Sequence, residues 1–234
     1  MNKKSIWLTS DTHFDHANIL FYAPKRAELW ALDDIKTIAR NYKDENREFL
    51  KEILKDLQPS LWESVRRMNE GLIANWNSRV QPGDDVYHLG DFGKPRGYQL
   101  ESILNRLNGR IYLIEGNHDT RFVKQQYVKD RMVWIKNYYE LKIKDPDSLC
   151  GKHQKIILSH TAFKVWYASH RSSYALSGHS HGNLDKWHRE RLSIDVGVDS
   201  EHGKYFPISY EEIKRIMQKK NVKFVDRHNK DDDR

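Results

Sequence analysis

Two absences limit what this chain can be. Cysteine occurs once, at Cys150, so no internal disulfide can form, and we expect a reducing compartment and an inert thiol at that position. No apolar run is long enough to cross a bilayer. Residues 1–5 lead into the first apolar run without the hydrophobic region of a signal peptide. We therefore expect a cytoplasmic protein without a membrane partner.

Acidic residues are also fewer than basic residues. The chain has 40 Lys and Arg residues against 33 Asp and Glu, a formal net charge of +7. Phosphates and nucleic acid are therefore candidate partners, although a soluble enzyme with a basic surface fits the same numbers. With 234 residues, 38% of them hydrophobic, the chain can bury a sizeable core, and we expect one domain over residues 1–234.

What the sequence does contain is a repeated pattern of short apolar runs that end in metal-ligand side chains. One such run, 110–115, leads through Gly116, which permits a tight turn. Because ligands of α/β proteins bind at the carboxyl ends of strands, we expect these side chains to meet at one edge. One Asp or His at a strand end is ordinary surface, but five such runs make that interpretation improbable. The donors are Asp11 and His13, Asp91, Asn117 with His118 and Asp119, His160, and His179 with His181.

These donors, taken in order, carry a family resemblance. Asp11-x-His13, Gly90-Asp91, Gly116-Asn117-His118-Asp119, His160 and Gly178-His179-x-His181 resemble the motifs of the calcineurin-like metallophosphoesterase superfamily. The resemblance implies an α/β fold of the metallophosphoesterase type, a two-sheet sandwich flanked by helices, with the site at the strand ends.

The resemblance also implies roles for individual residues. Two divalent metal ions would share Asp91: Asp11, His13 and His181 would hold the first, and Asn117, His160 and His179 the second. Carboxylate, amide and imidazole donors without thiolates suit Mn, Fe, Ni or Zn. A hydroxide formed at the two ions would attack the phosphorus. His118 would then protonate the leaving group, and Asp119 would hold His118 in its useful tautomer.

The segment 25–58 is unusual, and we interpret it as a helical insertion. Its apolar residues Leu50, Ile53, Leu54 and Leu57 predict an amphipathic helix, which Pro59 would end. The insertion could cover the site or form a homo-oligomer contact, or the helix could simply pack on its own domain.

Three further residues are candidate substrate ligands. Arg96 lies in a loop rich in glycine and proline after Asp91, and its guanidinium can bind a phosphate in a fork. Arg121 is expected to open a helix close to the site, and His16 follows the first motif. For each of them, an ordinary solvated loop or turn is an equally good explanation. Residues 144–153 are predicted to form a hairpin connection.

The predicted function is the metal-dependent hydrolysis of a small phosphoester or nucleotide substrate. Because the chain has no obvious DNA-binding module, a small phosphoester is favoured over nucleic acid. Among small phosphoesters, a nucleotide-type phosphodiester is slightly favoured over a phosphomonoester. The alternatives are a nuclease acting on DNA or RNA, which the net charge of +7 permits, and a non-catalytic binding scaffold of the same fold. A scaffold should have lost ligand residues, whereas here all of them are present.

Overall fold

The structure is a computed structural model that describes residues 4–43, 47–94 and 99–223. Within these residues, nine strands form two sheets. They are β1 (Ile6–Thr9), β2 (Asp85–His88), β3 (Arg110–Ile114), β4 (Met132–Lys136), β5 (Tyr138–Ser148), β6 (Gly151–Ser159), β7 (Tyr174–Ser177), β8 (Ser193–Asp195) and β9 (Ile208–Ser209).

The first sheet has the order β4-β3-β2-β1-β9, and the second has the order β5-β6-β7-β8. In the first sheet β1 to β4 are parallel and β9 is antiparallel to β1. In the second sheet β6, β7 and β8 are parallel, and β5 is antiparallel to β6. The parallel core of both sheets places the carboxyl ends of five strands where the sequence puts its polar motifs.

The helices of the described residues follow in chain order. They are α1 (Ile19–Tyr22), α2 (Pro24–Trp30), α3 (Asp33–Asn41), α4 (Arg47–Asp56), α5 (Gln58–Arg79), α6 (Gln99–Arg106), α7 (Gln126–Arg131), α8 (Asp185–His188) and α9 (Tyr210–Gln218). None of them combines the length and the apolar character needed to cross a bilayer.

The first sheet is the middle layer of the molecule, as the alternation along β3 shows. Ile111 and Leu113 belong to the core that packs under the helices, whereas Tyr112 and Ile114 belong to the core between the two sheets. Successive strand residues point to opposite faces, so a strand with both faces covered is apolar throughout. The predicted α/β two-sheet sandwich flanked by helices is therefore confirmed.

The segment 25–58 contains α2, α3 and α4. Ile35, Leu50 and Leu54 are buried in the same core cluster as Leu61 and Val65 of α5. The apolar side of the segment thus packs on its own domain. That the segment is an insertion, that it contacts a second subunit, and that residues 1–234 form a single domain remain predictions.

The predicted hairpin is present, but its connection is shorter than 144–153. Strands β5 and β6 continue to Ser148 and Gly151, and Lys144 still pairs with His153. Between Lys144 and Ser148 the register shifts, a bulge that accommodates a polar stretch containing Pro146 at the edge of the sheet. Cross-strand hydrogen bonding therefore outweighs the low strand propensity of these residues.

Candidate metal centre

The loops that follow the strands are joined to one another before any side chain is considered. Thr9 pairs with His88, and His88 pairs with Leu113, so the next residues of the three chains leave the sheet at one edge. The amide of Asp11 donates to the carbonyl of Gly90 at 2.9 Å, and the amide of His13 donates to that of Asp91 at 3.0 Å. The backbone therefore brings the first two motifs together.

Six of the seven predicted ligands form two clusters of potential metal-binding atoms. One contains Asp11, His13 and His181, and the other contains Asp91, His160 and His179. Asp91 links the two clusters, because its Oδ2 lies 3.6 Å from Nε2 of His13 and 3.5 Å from Nε2 of His160. A single carboxylate oxygen thus lies between one histidine of each cluster.

Asn117, the seventh predicted ligand, adds its side-chain oxygen to the second cluster. Oδ1 lies 2.9 Å from Nε2 of His160 and 3.0 Å from Nδ1 of His179. Ligands held about 2.1 Å from one ion at octahedral or tetrahedral angles are about 3.0–3.4 Å apart. The spacing of these donors fits that requirement without rearrangement.

The tautomers also fit a metal. Nδ1 of His160 lies 2.8 Å from the carbonyl oxygen of Leu89 and can only donate to it, so Nε2, which faces Asp91 and Asn117, is the nitrogen that an ion would bind in place of a proton. Nε2 of His13 is buried and has no hydrogen-bond partner in the part of the chain that the structure describes. Burial and the charge of Arg26 lower the pKa of His13 well below its ordinary value. A buried neutral nitrogen aimed at a carboxylate is a natural ligand for a borderline divalent ion.

Two of the ligand histidines are oriented by further side chains. Nδ1 of His181 lies 2.6 Å from Oδ2 of Asp199, which leaves Nε2 for an ion. Nδ1 of His13 lies 3.1 Å from Nδ1 of His16. Histidine ligands are typically fixed by a partner on the other ring nitrogen, which sets both the tautomer and the ring orientation. His16, predicted as a substrate ligand, is buried and contacts His13 instead.

Arg26 extends this support and was missed by the sequence analysis. Its guanidinium donates to both carboxylate oxygens of Asp199, at 2.9 and 2.6 Å, and to the carbonyls of Thr12 and Asp11, at 2.8 and 2.6 Å. Arg26 is completely buried. It therefore ties α2 to the loop that carries the first metal-binding motif. No local pattern in the sequence separates Arg26 from the other charged residues of the segment 25–58.

Backbone strain is concentrated at the same place. Positive φ angles of 48–67° occur at five of the seven predicted ligands, which are Asp11, His13, Asp91, His179 and His181. The left-handed region is sparsely populated by residues other than glycine, and each such residue costs of the order of 1–3 kcal/mol. Backbone strain that is retained at five predicted ligands indicates that the positions of their side chains matter for function.

Asp119 has a different role from the predicted one. Its carboxylate accepts hydrogen bonds from the amides of Asp91 and Gly116 on Oδ2, at 2.8 and 2.9 Å, and from the amide of Phe92 on Oδ1, at 2.8 Å. Both carboxylate oxygens of Asp119 therefore accept backbone hydrogen bonds, and within the described residues Asp119 forms no hydrogen bond to the His118 side chain. Asp119 is buried and holds the loop of Asp91 in place, which corrects the prediction that it orients His118.

His118 lies at the open side of the centre. Its imidazole packs edge-on against the rings of His13 and His16, with centroid distances of 5.5 and 5.6 Å, and its backbone amide donates to Oδ1 of Asp91 at 2.8 Å. The residue is exposed. This position agrees with a proton donor that faces an incoming substrate.

Of the other two candidate substrate ligands, the structure describes only Arg121. Arg121 is exposed and lies in a turn, and α7 begins only at Gln126. The prediction that Arg121 opens a helix is wrong, because Phe122 is drawn into the core, where its ring stacks on Phe92 at 4.8 Å. Arg96 lies outside the described residues.

The charges of the centre are balanced by protons when no ion is bound. Burial raises the pKa of Asp11 from its ordinary 3.8 to about 7. Burial also opposes ionisation of Asp91, but the hydrogen bond and charge of His160 bring its pKa below the ordinary value. Burial disfavours the charged form of His160 too, yet the Asp91 and Asp11 carboxylates raise its pKa to about 9. A divalent cation would replace these protons.

Comparison with known proteins agrees with this geometry. A family model described as calcineurin-like phosphoesterase matches residues 4–226. An uncharacterized protein of the archaeon Methanocaldococcus jannaschii is 30% identical over 228 residues, which cover 95% of this chain and 96% of that protein.

Two solved structures were also matched. The crystal structure of a protein of unknown function from Aquifex aeolicus aligns with 92% of this chain and 100% of its own, with a TM-score of 0.57 and 22% identity. A conserved uncharacterized protein of Streptococcus pneumoniae, described as a predicted phosphoesterase, aligns with 86% of this chain and 74% of its own, with a TM-score of 0.33 and 14% identity.

Proposed function

Because the chain belongs to the calcineurin-like phosphoesterase family, we propose that it hydrolyses a phosphoester with the help of two divalent metal ions. Asp11, His13 and His181 would hold one ion, and Asn117, His160 and His179 the other, with Asp91 shared between them. We further propose that the natural substrate is a nucleotide-type phosphodiester rather than a phosphomonoester.

One observation carries the proposal of two metals. Oδ2 of Asp91 lies at nearly the same distance from Nε2 of His13, 3.6 Å, as from Nε2 of His160, 3.5 Å, and these histidines belong to different clusters. A structural carboxylate would need only one such neighbour. A carboxylate that faces one imidazole nitrogen from each cluster is suited to screen two cations.

Individual residues would then have separate roles in the reaction. When bound, the two ions would lower the pKa of a water molecule to supply the nucleophile and would neutralise the charge of the phosphate. His118, exposed beside His13 and His16, is placed to donate a proton to the leaving oxygen. Asp199 and Arg26 would keep His181 oriented, and Asp119 would keep the loop of Asp91 fixed.

The preference for a nucleotide-type diester is supported by the basic character of the chain, with a net charge of +7. In addition, His118 lies on an exposed rim, where it can reach a bulky leaving group. The ions proposed are first-row divalent metals, namely Mn, Fe, Ni or Zn, because the donors are carboxylate, amide and imidazole without thiolate.

The test is hydrolysis of bis-p-nitrophenyl phosphate and of p-nitrophenyl phosphate by metal-stripped protein reloaded with Mn, Ni, Zn or Mg. Asp91→Asn should reduce turnover by more than about hundredfold, because it removes the shared charge. Asp84→Asn is the matched control, since Asp84 is also a buried aspartate but binds Ser5 and Trp7 at the other end of β2.

The outcomes separate the candidate functions. Metal-dependent turnover that is lost in Asp91→Asn and kept in Asp84→Asn supports the hydrolase, and a higher rate on the diester supports the preferred substrate class. Two bound ions per chain without turnover of either ester would contradict the proposal and favour a binding scaffold. Cleavage of DNA or RNA in preference to both small esters would favour a nuclease.

A further inference from the structure

A cavity of about 530 Å³ adjoins the metal centre on the side of His181. Its walls come from the junction of α1 and α2, the turn after His181 and the segment 198–205, and they include Tyr22, Lys25, Asp185 and Lys204. Ligand cavities typically measure about 300–1,000 Å³. The space is therefore large enough for a part of the substrate that extends beyond the phosphate at the metals.

The carboxylates that line this cavity are already engaged. Asp199 is paired with Arg26 and His181. Oδ2 of Asp185 accepts the amide of Glu201 at 2.8 Å. Glu201 itself lies 3.4 Å from Arg189 and 3.5 Å from His202. The negative charge on the wall is thus largely satisfied within the protein.

The two lysines of the wall, by contrast, have no acidic partner within the described part of the chain. Neither Lys25 nor Lys204 forms an ion pair there, and both are exposed. Two such ammonium groups, beside an Asp199 whose charge is balanced by Arg26, make the cavity attractive to an anion.

Both lysines are carried by backbone that is fixed in place. Lys25 directly precedes Arg26, whose fork-like pair with Asp199 anchors the start of α2. Lys204 has a φ of 47° and Tyr205 a φ of 69°. Their amides donate to the carbonyls of Ser200, at 3.2 Å, and Val198, at 2.8 Å. Strained backbone held by such bonds is typical of a binding loop.

A larger cavity of about 680 Å³ between α5 and α6 lacks this charge pattern. Its arginines are paired, Arg66 with Glu63 at 2.8 Å and Arg106 with Glu70 at 2.6 Å. It contains none of the seven proposed metal ligands. Size alone therefore does not identify the substrate site. The site is identified by its contact with the metal centre together with its unpaired charge.

We propose, on the basis of the proposed phosphoesterase function, that Lys25 and Lys204 bind a second phosphate group of the substrate in the cavity beside His181. The substrate class is then a nucleotide-type phosphodiester that carries another phosphate group. The lysines contact this second phosphate as point charges, so they select the substrate without taking part in the cleavage.

The test is direct binding, measured by isothermal titration calorimetry on the Mn-loaded full chain. The probes are adenosine 5′-monophosphate and the non-hydrolysable adenosine 5′-(α,β-methylene)diphosphate, and the readout is the ratio of their Kd values. Lys25→Gln and Lys204→Gln should each reduce the preference for the diphosphate roughly tenfold, the value of one charge-assisted contact. Lys186→Gln is the matched control, because Lys186 is an exposed lysine on α8 that does not line the cavity.

A preference for the diphosphate that falls in both cavity variants and not in the control is the expected result. An unchanged ratio in Lys25→Gln and Lys204→Gln would overturn the inference, even if bis-p-nitrophenyl phosphate is still hydrolysed. The two failures are distinguishable. If the second-phosphate site is wrong, the Kd ratio is unchanged in the variants, whereas if the proposed hydrolase is wrong, the wild-type protein shows no turnover.

Discussion

The ion pair between Arg26 and Asp199 offers the sharpest test of how the first metal site is built. The substitution Asp199→Asn keeps the shape of the side chain and removes its charge. This substitution has three effects. His181 loses its anionic partner at 2.6 Å, and Arg26 loses two charge-assisted hydrogen bonds. The loop of Asp11, which Arg26 binds, loses part of its anchor.

The expected magnitude follows from burial. The side chains of Arg26 and Asp199 are 0% and 7% exposed, and removing one partner of a buried pair costs about 3–5 kcal/mol. Arg26 keeps its bonds to the carbonyls of Thr12 and Asp11, so we expect the lower end, about 3 kcal/mol. Loss of the partner of a ligand histidine should also weaken metal binding at that site by roughly 10–100-fold.

A surface pair of the same chemistry provides the control. Arg106 binds both oxygens of Glu70, at 2.7 and 2.6 Å, but the two side chains are 46% and 44% exposed. Glu70→Gln should therefore change the free energy of unfolding by less than about 1 kcal/mol. Urea unfolding of the metal-free protein measures the stability, and calorimetric metal titration measures the two affinities. Equal stability loss in Asp199→Asn and Glu70→Gln, with two wild-type metal affinities, would refute the reasoning.

Three further predictions concern the centre itself. His118→Gln should retain both ions by mass spectrometry but lower kcat on alkyl esters by about 10²–10⁴-fold, with a smaller loss on nitrophenyl esters, because only the poorer leaving group needs the proton. Gly116→Ala should reduce the urea midpoint and the metal content, because the added Cβ would lie 2.3 Å from the amide nitrogen and Oδ1 of Asp91. The control Gly83→Ala should reduce neither, because nothing lies within 4 Å of its added Cβ. Metal affinity, measured by calorimetry, should rise by at least about tenfold per pH unit between pH 7 and 9, because His160 with its pKa of about 9 must lose a proton. The rise should be steeper below pH 7, where Asp11 with its pKa of about 7 must lose one too. A flat profile would contradict the assignment of these ligands.

Much of the fold could be predicted because its signals are local. The apolar runs before Asp11, Asp91, Asn117 and His160 are strands in the structure. Apolar residues spaced three or four positions apart in the sequence, from Leu61 to Trp76, form the buried face of α5. Ser209 and Glu212, three positions apart, form the capping box that begins α9. Each of these depends on residues within a few positions of one another, so periodicity and capping chemistry suffice.

Predictions that depended on the path of the chain in space were less successful. Asp119 follows His118 directly, and adjacency suggested that they act together. In the structure Asp119 instead binds the amides of Asp91 and Phe92, which are 28 and 27 positions away. Likewise, nothing near Arg26 in the sequence reveals that it pairs with Asp199 across 173 positions.

The sequence by itself thus determined which atoms are available for chemistry and that they lie at the ends of strands, because residue type and short-range pattern fix both. Tertiary structure decided how these atoms are grouped, which histidine nitrogens can face an ion, and which lysines lack an ion-pair partner among the described residues. Those properties depend on distances of a few ångströms between residues far apart in the chain, and only the packing of the two sheets and the helices sets such distances.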